Sequence, residues 1–387
     1  MKTALLHHWL NGMRGGEKVF EIFCDLFPDS DIFTLFYEKA RISERINKHS
    51  IVASGLNRFS LLRKNYTNMF MFFPFVTEQF DVTGYELIIS SDTISVKGVI
   101  TSPESCHICY CHTPPRYVWD RYFEYLDNAG LGRLKKQLAR IFLHTYRQWD
   151  AVAANRVDYF IANSNYVAKR IAKAYRRKAV VANPPINLHQ FSISEPEDFY
   201  LTLGQLVPYK RVDLLIDAFN EMPDKKLAIV GSGPLEKTLR KKAGRNIEFT
   251  GWADEEQKVR YFQKCQALLF PGIEDYGITP LEVQACGRPV IAFGRGGVLD
   301  TVRGIPSNEC ASFDPEKNTG VFFQSQTADS IIHAIKVFES HVVSQIDPLA
   351  IRKHAEKFDE KQFSSRISTL IDEMTQDFNK NGPPVYR

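Results

Sequence analysis

The 387-residue chain has no apolar run long enough to span a bilayer. The longest, Met69 to Val76, falls far short of the ~20 residues a transmembrane helix needs, and Pro74 interrupts it. Glycine never falls into GxGxxG or GxxxxGK[ST], so neither a dinucleotide fingerprint nor a P-loop is present. Cysteine is scarce: seven, an odd number, scattered apart from Cys106, Cys109 and Cys111. That excludes a disulfide framework and points to reduced thiols in a cytosolic compartment. Zinc is disfavoured as well. In a strand Cys109 and Cys111 would share one face while Cys106 and His112 take the other, and no second CxxC or HxxxH cluster exists, so no metal is expected. One lysine and a few apolar residues precede His7-His8-Trp9 with no small-residue cleavage site, so export is not expected. Internal repeats and low-complexity tracts are lacking too.

What is there is an ordinary globular composition, 44% hydrophobic and 24% charged, in a chain longer than the ~250–300 residues at which one core stops growing. Two domains are expected. Charge is unevenly shared: residues 1–190 hold 25 Lys and Arg against 17 Asp and Glu, a net of +8, while the remainder is net −4. Short apolar strands alternate with helical segments in both halves, the pattern of a parallel sheet covered by helices on both faces. In the first half the strands are read at Thr3 to His7, Glu86 to Ser90, Cys106 to Cys111 and Tyr159 to Asn163, with a long amphipathic helix over Leu131 to Arg156. In the second they are read at Tyr200 to Leu203, Lys226 to Val230, Ile247 to Thr250, Ala267 to Phe270 and Pro289 to Ala292. The Pro-, Ser- and Asn-rich stretch between them predicts a linker at 186–200, flanked by domains at 1–185 and 201–360. Residues 361–387 are expected to form a C-terminal helix packing back on the first domain, then a tail. Ligands of doubly wound sheets sit at C-terminal strand ends, so two facing sheets would place one in an interdomain cleft.

Several segments carry chemistry. Gly12, Gly15 and Gly16 fall between the first strand and helix, where backbone amides can receive anionic oxygens, although a plain turn explains them equally well. Gly204 to Asn220 brings Lys210 and Arg211 to a helix start, a place for a diphosphate that gains charge on leaving, although taken alone a solvated surface pair explains them as well. The Gly231-Ser232-Gly233 turn repeats that layout. In Phe270 to Val290, Glu274 lies in a loop beside Gly277, where chain and ligand can approach closely. Glu282 completes a capping box with Thr279 as N-cap and Pro280 at N1, so capping alone accounts for it. Tyr110 to Asp120 presents His112 and Arg116 beyond a strand end around two prolines.

Taken in order, these segments resemble the retaining glycosyltransferases of family 4, with the GT-B architecture of two facing Rossmann-like domains. The most specific part runs from Phe249 to Val302 and includes that family's paired-glutamate motif. GMRGGEKV and YCHTPPRYVWD look closer to bacterial mannosyltransferases that build O-antigen and related surface polysaccharides. The resemblance implies catalytic roles for Glu274, His112 and Lys210. Glu274 would contact the donor sugar, Glu282 the ribose and Lys210 with Arg211 the diphosphate, while Gly15, Gly16, Gln205, Gly231, Tyr276, Gly277, Ile278 and Thr279 would line the donor and Arg116 and Trp119 face the acceptor. Two positions depart from the family pattern: Gln205 stands where Arg is frequent, and His8 where Asp is frequent.

The reading is transfer of a hexose, mannose from GDP-mannose as the best guess, to a lipid-linked glycan with retained anomeric configuration and no cofactor. A sugar-nucleotide epimerase of the same architecture and a non-catalytic nucleotide-sugar-binding subunit are the alternatives. Nucleic acid is not an expected partner, since no recognised module accompanies the basic half. That half, with Arg58, Arg63 and Lys64 beside the aromatic run and Arg133, Lys135, Lys136 and Arg140 on a helix, is expected to adsorb to the anionic cytoplasmic membrane face reversibly with salt; the alternative is an aromatic run that is ordinary core and a basic helix face that is merely solvated.

Overall fold

The computed structural model describes residues 1–128 and 130–384. It divides into two units, Met1–Asn183 with Phe363–Arg387, and Pro184–Gln362.

The first unit is a seven-stranded, wholly parallel sheet: β1 (Thr3–Leu10), β2 (Asp31–Tyr37), β3 (Ser50–Ala53), β4 (Leu87–Asp92), β5 (Cys106–Cys111), β6 (Tyr159–Ala162) and β7 (Ala179–Val181). Its order is β3-β2-β1-β4-β5-β6-β7. The inner strands β1, β2, β4, β5 and β6 are largely buried on both faces, as a parallel sheet between helix layers requires, while the edge strands β3 and β7 are half-exposed. Alternation decides which layer each residue meets: Leu5 packs with Phe20, Phe23 and Tyr110, while Ala4 and Leu6 pack on the other side with Phe33, Leu35 and Tyr146. The C-terminal helix Glu360–Asn381 inserts Phe363, Ile367, Leu370 with Ile371, Met374 and Phe378, recurring at helical steps of three or four residues, into the Leu5 side.

The second unit repeats the plan with β8 (Tyr200–Leu203), β9 (Leu227–Val230), β10 (Ile247–Gly251), β11 (Leu268–Phe270), β12 (Val290–Phe293), β13 (Gly304–Pro306) and β14 (Gly320–Phe323). Its order is β10-β9-β8-β11-β12-β14-β13, again all parallel. The stretch 186–200 departs from the expected linker, because its apolar residues are needed in the core. Ile186 and Phe191 are buried there, Ile186 bridges Asp359, and Arg352 donates to the Phe191 carbonyl at 2.8 Å.

Candidate active site

In each sheet strand order reverses near the centre, between β1 and β4 in the first and between β8 and β11 in the second. At such a reversal the connections leave in opposite directions and open a crevice beyond the carboxyl ends of the strands. Both sets of sequence-expected residues lie at these points.

In the second unit, Gly204 follows β8 and Gly231 follows β9. Gly231 has φ +132, and a Cβ there would collide with the Gly204 carbonyl, so only glycine lets the two turns pack together. The short turn Pro208–Lys210 then brings the Lys210 ammonium into an ion pair with Glu274, which follows β11. Lys210 and Glu274 line a small recess with Gln205, Gly204, Phe270 and Gly272. Arg211 is absent from that lining. It takes the left-handed conformation, φ 53, and its guanidinium holds Asp213 at 3.0 Å.

The second glutamate is held differently from the expected capping box. Gly277, at φ 105, starts the helix Ile278–Ala285 two residues earlier, so Thr279 lies inside the first turn rather than at its cap. Glu282 accepts a hydrogen bond from Lys258 at 3.0 Å. Burial opposes the charge on Lys258, but the carboxylates of Glu282 and Glu255 outweigh it and raise its pKa above the ordinary lysine value. Tyr276 is buried, and its hydroxyl donates to the Pro184 carbonyl at 2.9 Å, a fixing contact rather than an open one. Ile278 and Thr279 are half-buried beside it.

In the first unit, Ser91 at the end of β4 stands between two imidazoles, its Oγ 3.1 Å from His7 Nδ1 and 2.9 Å from His112 Nε2. The register makes this inevitable, since His7 and Ser91 are directly paired between β1 and β4. Gly15 and Gly16 open the helix Gly15–Leu26, and a Cβ on Gly16 would stand only 3.7 Å from the His7 ring and 3.9 Å from that of His112. Burial, then the neighbouring His8 and His112, hold the His7 pKa well below the usual histidine value. Burial likewise carries His8 down to about 3, so both rings are neutral at pH 7.

Of the two residues expected to face the acceptor, Trp119 donates from Nε1 to buried Asp150 at 2.7 Å, and Arg116 is half-buried. Asp150 belongs to a network that sequence spacing could not reveal. Fully buried Lys97 reaches both Asp92, at 3.2 Å, and Asp150, which also accepts from the Tyr175 hydroxyl at 2.9 Å. Among the described residues no three His, Cys, Asp or Glu side chains are grouped to hold a metal ion.

Residues 186–342, which contain β8 to β14, the Lys210–Glu274 pair and the Glu282 helix, match the family described as Glycosyl transferases group 1. The second unit carries a glycosyltransferase group 1 domain. Its relatives include the O-antigen chain mannosyltransferase C of Escherichia coli, 34% identical over 157 residues, covering 35% of this chain and 42% of that protein. Another is the GDP-mannose-dependent monoacylated alpha-(1-6)-phosphatidylinositol monomannoside mannosyltransferase of Corynebacterium glutamicum, 32% identical over 178 residues, covering 38% and 47%. The chain therefore spans less than half the length of these two relatives. Around the transferase domain, the whole chain shares the GT-B fold. Sucrose-phosphate synthase of Thermosynechococcus elongatus superposes with TM-score 0.73 at 16% identity, covering 97% of this chain and 99% of that one. The apo lipopolysaccharide outer core galactosyltransferase gives 0.66 at 17%, covering 96% and 99%.

Proposed function

We propose that the chain is a retaining hexosyltransferase, moving mannose from GDP-mannose to a lipid-linked glycan at the cytoplasmic face of an anionic membrane during surface-polysaccharide synthesis. What carries the reading is the Lys210–Glu274 pair at the switch point of a group 1 transferase domain. Relatives named for GDP-mannose and for O-antigen support this choice of donor and pathway class. Among the described residues no helix is long and apolar enough to cross a membrane, so the acceptor's lipid would be met from outside the bilayer.

Without donor, lysine and glutamate neutralise each other. A bound nucleoside diphosphate sugar replaces that pair with better-matched contacts: Lys210 turns to the diphosphate, and Glu274 accepts from sugar hydroxyls. As the glycosidic bond breaks, negative charge grows on the β-phosphate and positive charge at the anomeric carbon, so both groups gain in the transition state over the ground state. Lys210, rather than a metal ion, then supplies the counter-charge. Retention needs no protein nucleophile here. The acceptor hydroxyl attacks from the face the phosphate leaves, and the phosphate oxygen takes its proton. Glu282 and Lys258 would hold the ribose side.

A thermal-shift screen of GDP-, UDP- and ADP-hexoses tests the donor. A ligand at 100 times its dissociation constant stabilises its site by ~2.7 kcal/mol, and GDP-mannose is expected to give the largest shift. No shift with any nucleotide sugar would overturn the reading.

A further inference from the structure

The aromatic run 69–76 divides between core and surface. Phe73 is buried and Phe70 packs on Phe142 and Tyr117, while Met71, Phe72 and Phe75 face outward, Phe75 at 67% exposure. Phe59 and Leu61 are exposed just before it. The helix Arg133–Ala153 behaves likewise. Leu143, Tyr146 and Asp150 form its buried face, and Leu134, Leu138 and Ile141, four and three residues apart, form a second apolar stripe that is 59–75% exposed. Since Phe70 touches Phe142, next to Ile141 in sequence, the two elements adjoin. A soluble surface rarely leaves this many large apolar side chains together without an occupant.

Charge says which occupant. Segments 55–77 and 130–149 contain eight Lys and Arg and no Asp or Glu. Arg58, Arg63, Lys64, Arg133, Lys135 and Arg140 are exposed, and among the described residues Lys136 alone of these segments' cations pairs with an acidic neighbour, Asp127 at 2.7 Å. An apolar stripe bordered by uncompensated cations fits the interface of a bilayer, where acyl chains take the stripe and anionic headgroups the rim. We propose that Leu134, Leu138 and Ile141, with Phe72 and Phe75, form an insertion face that seats the first unit in an anionic membrane. This deepens the proposed function by naming where its lipid-linked acceptor is met. It also alters the expectation from charge alone: apolar insertion survives salt that screens the cations.

The test is sedimentation with phosphatidylglycerol and with phosphatidylcholine vesicles, at low and high salt. The wild-type chain is expected to pellet with phosphatidylglycerol and to stay partly bound in high salt. Leu138→Glu with Phe75→Glu should lower partitioning about 100-fold, since each side chain removed from the acyl boundary costs about tenfold. Arg133→Glu with Arg140→Glu should weaken binding to phosphatidylglycerol alone. All variants should keep the wild-type melting temperature and donor-induced shift, which separates failure of this proposal from failure of the donor reading. No pelleting at low salt, or complete release by salt, overturns insertion. So does a solution dimer dispersed by Leu138→Glu in a chain that ignores vesicles, because the face would then be an interface between copies.

A second inference rests on the Ser91 bridge and on the reading that His112 serves the sugar. Ser91 has one proton for two imidazoles. If it donated to His7, His7 would carry its own proton on Nε2, which is buried with no partner. An orphaned buried donor is rarer in folded proteins than an under-used acceptor. We infer that His7 Nδ1–H donates to Ser91 Oγ and Ser91 donates to His112 Nε2, so that Ser91 is a positioning residue holding His112 as its Nδ1–H tautomer. Such a ring offers a donor to a hydroxyl oxygen and does not act as a base. Nitrogen-15 NMR of the histidine-labelled chain should give the Nδ1–H pattern for His112, lost in Ser91→Ala and restored in Ser91→Thr. Turnover should fall about tenfold in Ser91→Ala with little change in KM and recover in Ser91→Thr. An Nε2–H pattern in the wild-type chain, or one indifferent to Ser91→Ala, overturns the assignment whatever the activity.

Discussion

Replacing Lys97 by methionine should be among the most destabilising single changes in the first unit. Methionine keeps the apolar body of the side chain and removes only the ammonium, which sits fully buried between Asp92 and Asp150. Removing one partner of a buried ion pair typically costs about 3–5 kcal/mol. Proton uptake supplies an independent bound. A carboxylate stranded beside another can neutralise itself, and at pH 7 protonating an aspartate of ordinary pKa ~3.9 costs about 4 kcal/mol. The same bound falls to about 1.5 kcal/mol at pH 5, so the deficit of Lys97→Met should shrink by about 2–3 kcal/mol between those values. In sign terms, the variant's folded state holds an aspartate with a raised pKa, so its stability recovers as pH falls. In the wild-type chain burial opposes the lysine charge, yet Asp150 and Asp92 hold its pKa well above the usual value, so this pairing is lost only in strong alkali. Urea unfolding followed by tryptophan fluorescence reads the effect, since Trp9, Trp119 and Trp149 all lie in the first unit. A deficit under ~1 kcal/mol, or one unchanged from pH 7 to pH 5, would refute the buried-charge argument.

Three other outcomes follow from named groups. Lys210→Ala should lower kcat as well as donor affinity, because the leaving diphosphate needs its counter-charge most in the transition state; a raised KM with unchanged kcat would reduce Lys210 to a ground-state contact. Glu274→Gln should cut turnover by about 10²–10³ and leave the melting temperature unchanged, and near-normal turnover with every donor would remove Glu274 from the site. Acid should unfold the first unit early: burial lowers His7 strongly, His8 to about 3 and His107 to about 4, so the unfolded state binds more protons below its ordinary pKa of ~6.5. Stability present above pH ~6.5 is then lost on acidification, and a melting temperature flat from pH 7 to pH 4 would contradict it.

Much of this was legible in the sequence because apolar strands buried on both faces are local signals. β5 and β8 fall at Cys106–Cys111 and Tyr200–Leu203 as read, and the long amphipathic helix lies within its expected span. Five strands escaped the reading: β3, β7 and β13 are short or atypical, β3 with four half-exposed or exposed residues and β13 with Gly304 and Pro306 at its ends, whereas β2 and β14 are buried apolar runs that it passed over. At the site, loop and helix-start positions placed Lys210 and Glu274 correctly beside a strand end, but not in an ion pair 64 residues apart. Gly277 misled the reading of Glu282, since a left-handed N-cap is invisible beside so good a capping box. His7 with Ser91 and Lys97 with Asp150 depend on sheet register and on a helix returning 53 residues later, which no local spacing encodes.

The central claim is retaining hexose transfer, and the anomeric configuration of the first product tests it most directly. GDP-mannose incubated with the chain and lipid-linked glycan acceptors, followed by proton NMR of the released glycan, should give the α-mannoside, matching the donor's own configuration, and Glu274→Gln should suppress it. A β-mannoside, or GDP-, UDP- and ADP-hexoses all left intact, would contradict it.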